Sequence, residues 1–170
     1  KPSSAASDVY KRQTLLDVSG KTRTTTFQLT TSPVTNGYLK SDASGNGTWS
    51  ALPAEIQFAC SDETSALSTG TNKITFRMPY AMTLTSVRAS LTTAQASGSI
   101  FTVDINLNGT SVLGTKLTID NTETTSTTAV TPPTITTSAL TDDGVITVDI
   151  DQIGNGTATG LKVTLIGTRA

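Results

Sequence analysis

The sequence predicts an all-β protein: an antiparallel β-sandwich preceded by a short extended β segment. Three observations carry this. Thr supplies 36 of the 170 residues, and branched Cβ atoms fit a pleated sheet better than a helix. From Ile56 onward apolar residues alternate with polar ones at period two, and no stretch holds a helical period. Gly, Asn and Pro interrupt the apolar segments at intervals of roughly 8–15 residues, as in sandwiches and barrels. About eight alternating segments over 56–167 favour an eight-stranded jelly roll. An immunoglobulin-like sandwich is the alternative, but the paired Cys and central Trp of that fold are missing. Three regions follow: 1–13, 14–55 and the sandwich at 56–170.

Residues 3–13, Ser-Ser-Ala-Ala-Ser-Asp-Val-Tyr-Lys-Arg-Gln, are the translation of a transposase sequencing adapter in one reading frame. Residues 1–13 are therefore set aside from fold reasoning. The match implies a metagenomic assembly with an untrimmed end, and the native chain is expected to extend further upstream. Residues 14–35 read as thin and extended: Leu15, Leu16 and Val18 precede a Thr tract, then Phe27 and Leu29 alternate with polar neighbours.

Residues 36–52 predict a small hairpin. Two extended pieces, 38–40 and 48–50, flank a turn built by Asp42, Ser44, Gly45, Asn46 and Gly47, because Gly and Asn tolerate positive φ and Asp or Ser bonds the local backbone. Trp49, the one Trp of the chain, has too little hairpin around it to be buried there. It packs either on the sandwich or on other copies of the chain.

In the sandwich, Ile56, Phe58 and Cys60 share one face, and 61–70 is a polar loop. Ile74, Phe76 and Met78 share the next face, with Pro79 ending the ladder. Along 82–91, Met82 and Leu84 point one way, then Val87, Ala89 and Leu91 the other, which predicts a bulge near Thr85 and Ser86. Phe101, Val103, Ile105 and Leu107 run into Asn108-Gly109, a hairpin signal leading to 111–113. Leu117 and Ile119 make a short strand. Residues 122–128 and Ile135 read as an edge, protected by Pro132 and Pro133. Residues 138–143 have room for one helical turn. Ile146, Val148 and Ile150, then Leu161, Val163 and Leu165, complete the set.

A resemblance follows from the order Thr25-Thr26-Phe27-Gln28-Leu29-Thr30, Asn36-Gly37-Tyr38-Leu39, Ser41-Asp42-Ala43-Ser44-Gly45-Asn46 and Thr48-Trp49. It resembles the short β repeat of bacteriophage tail fibres and related trimeric adhesins, with Lys40 where a small or Thr residue is usual. The segment 56–167 also resembles a C-terminal β domain of phage structural proteins, through Ser61-Asp62-Glu63-Thr64, residues 75–80, residues 148–153 and Gly160-Leu161-Lys162-Val163. The resemblance implies a virion or extracellular location and a homotrimer through 14–55, with Phe27, Tyr38 and Trp49 at the oligomer contact. The implied partners are other virion proteins and a host-surface glycan or protein. The implied function is structural and host-attaching. The alternatives are a monomeric carbohydrate-binding module of a secreted bacterial protein, and a capsid fibre or decoration protein.

Composition points away from other classes. Charged residues are 15% of the chain with a net charge of −1, which leaves no electrostatic footprint for nucleic acid. No apolar run approaches a membrane span. Histidine is absent, which removes the commonest catalytic base and transition-metal ligand. No nucleophile elbow, phosphate loop or metal-ligand cluster appears, so neither enzymatic activity nor a cofactor is expected. Glycoside hydrolysis needs two carboxylates across a cleft, and no spacing supports Asp62 with Glu63, or Asp104 with Asp149. Asp149 and Asp151, two apart on one strand, are the candidates for a shared hard cation such as calcium, against a solvated outward face. Tyr80, beside Pro79 at a strand end, is the candidate ligand contact, against a role closing the core rim. Asn46, Asn108 and Asn155 each open an Asn-Gly-Thr triplet, read as turns in preference to glycosylation acceptors. The lone Cys60 is read as a core residue.

Overall fold

The computed structural model describes residues 21, 23–26 and 28–170. The adapter-like stretch and Phe27 lie outside the described residues. Contacts divide the chain into Lys1–Thr31 and Ser32–Ala170, and every strand below belongs to the second unit.

That unit is all-β. A hairpin of β1 (Tyr38–Ser41) and β2 (Gly47–Ser50) comes first. The sandwich follows, with β3 (Pro53–Ala59), β4 (Gly70–Arg77), β5 (Met82–Ser90), β6 (Phe101–Leu107), β7 (Thr110–Ser111), β8 (Leu113–Thr115), β9 (Leu117–Ile119), β10 (Thr134–Ile135), β11 (Ala139–Leu140), β12 (Val145–Gln152) and β13 (Lys162–Arg169). One sheet has the order β11-β5-β13-β3. The other has the order β4-β12-β6-β7, with β9 also pairing β6. All pairings are antiparallel, and β8 and β10 form a separate pair. From β3 to β6 each strand enters the sheet opposite its predecessor, and β11, β12 and β13 do the same. Each sheet thus covers the other's apolar face, which neither could bury alone.

The core lies between the sheets. Met82, Leu84, Val87 and Ala89 of β5 and Val163 and Leu165 of β13 face Phe101, Val103 and Ile105 of β6 and Ile146, Val148 and Ile150 of β12, all buried. Phe58 on edge strand β3 and Phe76 on edge strand β4 seal one side, with ring centroids 4.7 Å apart in a tilted pair. Such a pair adds attraction beyond area burial. Leu113 and Leu140 belong to the same buried core.

The predicted bulge is present. Ser86 pairs with Ile166 and Leu84 with Gly167, which leaves Thr85 unmatched, and its hydroxyl donates to the Ile166 carbonyl at 3.2 Å. The bulge brings backbone close to Gly167, where a Cβ would lie 2.0 Å from the Thr83 carbonyl oxygen. Asn108 and Gly109 turn between β6 and β7 with φ of 51° and 81°, both left-handed as a type I′ hairpin requires.

Two expectations are corrected. Residues 138–143 hold no helical turn: Ala139 and Leu140 pair with Thr83 and Met82 as β11, because Leu140 gains burial in the sheet that an isolated turn would not give. Residues 122–128 do stand at an edge, beside β5 past β11, but not as a strand. A 3₁₀ turn, Ser126–Thr128, is capped by the Thr125 hydroxyl. The Ser126 hydroxyl accepts the Ala89 N–H at 2.9 Å, and the Thr124 carbonyl accepts that of Leu91 at 2.9 Å. Side-chain and loop acceptors thus satisfy an edge that would otherwise be open.

Cys60 is a core residue as expected, and desolvation pushes its thiol up to about 12. A thiol with an ordinary value of 9.0 that is raised on folding stays protonated while the unfolded chain would ionise. Its stabilising contribution is therefore present below pH 9 and is lost as pH climbs towards 12. At pH 8 the native protein is expected to resist iodoacetamide and to react fully in urea. Equal rates in both states would place Cys60 at the surface.

Candidate functional site

The outer face of the sheet β3-β13-β5 forms a shallow polar groove. Register sets the outward residues in cross-strand rows, Glu55, Ile166 and Ser86 in one, Gln57, Thr164 and Arg88 in the next, then Ala59, Lys162 and Ser90, and Glu55, Ile166, Gln57, Thr164, Arg88 and Ser90 of these line the groove. These are the outward phases of strands whose alternate residues fill the core. Thr125 and Thr127, held over the β5 edge by the Ser126 bond, raise one wall. The groove encloses about 360 Å³ and is lined mainly by hydroxyl, amide and charged groups, with Ile166 as its large apolar floor residue. A second groove of about 290 Å³ adjoins it, bounded by Ser86, Val87, Ser126, Thr127, Pro132 and Pro133. Arg88 lines both.

Within the floor the Gln57 amide donates to the Thr164 hydroxyl at 3.2 Å, which holds both side chains in place. One row along, Lys162 pairs with Glu63 at 2.6 Å, and the Thr92 hydroxyl bonds the other oxygen of Glu63. The Lys162 and Thr92 hydrogen bonds hold the Glu63 carboxyl below its ordinary value. The neighbouring Asp62 carboxyl lies well below the usual carboxylate range, because the Ser65 and Thr64 N–H groups donate to it. Asp62 is thus committed to its own loop and Glu63 to Lys162 and Thr92, so the two acids are not set across a cleft.

Tyr80 packs half-buried against the core, and the Arg169 guanidinium lies over its ring, 4.0 Å from the centroid. A cation–π contact and a rim position occupy the side chain, so it closes the core at the strand end. Asp149 and Asp151 are drawn apart. Asp149 accepts the Asn72 N–H at 2.7 Å and the Asn106 amide at 3.0 Å. Asp151 is the extra residue of a bulge, since Ile150 pairs with Val103 and Gln152 with Thr102, and it pairs with Lys116 at 2.6 Å. Hydrogen bonding to Asp151 raises the Lys116 ammonium above its ordinary value. The two carboxylates serve different partners, and among the described residues no group of three or more metal-ligating side chains converges. Asp104 and Asp149 stand directly opposite on β6 and β12. Asp104 is buried, with Lys116 at 3.1 Å and the Ser111 hydroxyl at 2.6 Å, as the anchor of the loop that follows β6.

In the hairpin, Tyr38 and Leu39 are 37% and 48% exposed. Leu39 stands opposite Trp49, and Tyr38 opposite Ser50. Trp49 is half-buried. The turn is held by Asp42, whose Oδ1 accepts the N–H groups of Ser44 and Asn46 at 2.9 and 2.8 Å while Oδ2 accepts the Asn46 amide at 2.9 Å. These bonds, that of the Asn46 side chain foremost, hold the Asp42 carboxyl below its ordinary value.

Glu55, Gln57, Arg88 and Thr164 were not singled out by the sequence reading. The available signal was their place on the polar phase of otherwise apolar strands. Their convergence depends on β13 pairing with β3 about a hundred residues earlier, as the Gln57–Thr164 bond across 107 positions illustrates. No family model, curated protein or solved structure matches the chain.

Proposed function

We propose that the chain is the distal part of a phage tail fibre or a related virion appendage, a structural and host-attachment protein. Residues 14–55 would form a three-chain fibre segment carrying three sandwich heads. The strand orders β11-β5-β13-β3 and β4-β12-β6-β7 support reading each head as a jelly roll. The observation that carries the proposal is the hairpin. It presents Tyr38 and Leu39 outward, 37% and 48% exposed, immediately before the first strand of the sandwich. An exposed apolar hairpin of this size needs a cover, and two further copies around a closed axis would supply it. On this reading the groove over β3-β13-β5 makes weak glycan contacts that three-fold display multiplies. The chain acts by binding, on virions or at a cell exterior, with no reaction assigned to it.

The groove lies wholly within one sandwich, which also suits the second reading, a monomeric carbohydrate-binding module. Sedimentation equilibrium separates the two. The full chain is expected at three times its 17.6 kDa, with Trp49→Ala shifting the equilibrium towards smaller species. A single-chain mass at micromolar concentration, unchanged by that substitution, would reject the trimer.

A further inference from the structure

We infer that the groove takes an acidic saccharide, with Arg88 as the anchor of its anionic group. This rests on the attachment reading above and names the chemistry of the ligand. Every other cation of the sandwich has a partner. Arg77 pairs with Asp143, Lys116 with Asp104 and Asp151, and Lys162 with Glu63. Lys73 donates to the Ser68 hydroxyl, and Arg169 stacks on Tyr80. Among the described residues Arg88 makes no ion pair, hydrogen bond or ring contact of this kind, although it stands at the junction of both grooves.

Its row neighbours on the floor, Thr164 and Gln57, are neutral. The carboxylate in the same groove is that of Glu55, on β3. The intervening β13 sets the β3 and β5 backbones roughly 9–10 Å apart. A guanidinium offers a planar fork of donors that matches a carboxylate or phosphate group. A groove walled by Thr125 and Thr127 suits a polyhydroxyl ligand, and its floor has no apolar pocket in which a peptide would seat an anchor side chain. Glu55 sets the other limit. It accepts from sugar hydroxyls and repels a second negative charge, so the ligand carries one acidic group per bound length and is not a polyanion.

The test is a microarray of bacterial surface glycans with uronic-acid, sugar-phosphate and neutral spots, probed with the full chain. Binding is expected on acidic spots, and the two acidic kinds identify the anion. Arg88→Ala should lower it by about tenfold or more, the range of a charge-assisted bond, and Arg88→Lys should retain an intermediate signal. Glu55→Gln should strengthen binding to the same spots. Arg88 lies on the outer sheet face, so an unchanged thermal melt confirms that each variant is folded. Equal binding to neutral spots, an Arg88→Ala variant that binds as the parent does, or a poly-aspartate peptide competing as well as free glycan would overturn the inference while leaving attachment in place. A blank array would overturn both.

Discussion

Phe101→Ala is expected to lower the unfolding free energy by about 3–5 kcal/mol. Phe101 is fully buried at the start of β6, paired with Ile119 of β9. Its ring is the largest fully buried side chain among the described residues, and both sheets are tied by ladders that limit collapse into the space it would leave. Urea unfolding should show a lower midpoint with an unchanged slope, the mark of lost stability without a change in the surface exposed. Val148→Asp should be more severe still. Val148 is fully buried at the middle of β12, between Ile74 of β4 and Ile105 of β6. A carboxylate there has no cation to meet, and the fold would have to protonate it or open. No cooperative melt is expected from this variant at neutral pH. A loss below about 1 kcal/mol for either substitution would be the ordinary cost of a surface change and would refute the placement of the core.

Both residues were legible in the sequence because the alternation of β6 and β12 is a local pattern. The same holds for the Asn108-Gly109 turn, the Thr85 bulge and the Asp42–Asn46 loop, where a few neighbouring residues fix the backbone. What stayed illegible depends on distant pairing. Ala139 and Leu140 carry too little pattern to read as a strand, and become one only because Thr83 and Met82 offer a free ladder edge. Asp149 and Asp151 looked like one site by spacing, but the bulge at Asp151 and the arrival of Lys116 from the loop after β8 separate them. Arg88 and Glu55 gave no joint signal, since β13 stands between their strands and comes last in the chain. The groove is therefore a product of topology, whereas the core is a product of periodicity.

Gln95 is the clearest case of a residue whose role only the fold supplies, and its removal should cost about 2 kcal/mol by breaking three part-buried hydrogen bonds. It is fully buried in the loop between β5 and β6. Its amide nitrogen donates to the Ser99 carbonyl and to Asn121 Oδ1, both at 2.6 Å, and its Oε1 accepts the Gly154 N–H at 2.6 Å. Its own carbonyl accepts the Thr122 N–H at 2.8 Å. One side chain thus ties three loops at one end of the sandwich, and Gly154 is fitted to it: a Cβ there would lie 2.3 Å from the Ser97 carbonyl oxygen and 2.8 Å from Gln95 Oε1. Gln95→Ala should leave the ladders intact while the Gly154 amide loses its acceptor and exchanges faster; the amides of Thr122 and Asn155 keep the Gln95 and Ser97 carbonyls as acceptors and should exchange faster because the loops that hold them open more readily. Gln95→Glu discriminates further. Its carboxylate would still accept from Gly154 but would face two acceptors, Ser99 O and Asn121 Oδ1, so folding would raise its pKa. A group raised on folding stabilises below its unfolded value, about 4.3 for Glu, and loses that contribution as pH rises. The Gln95→Glu variant should therefore come closer to the parent's stability at pH 4 than at pH 7. A Gln95→Ala protein with parental melting and parental exchange at all three amides would show that these loops are held by something other than Gln95.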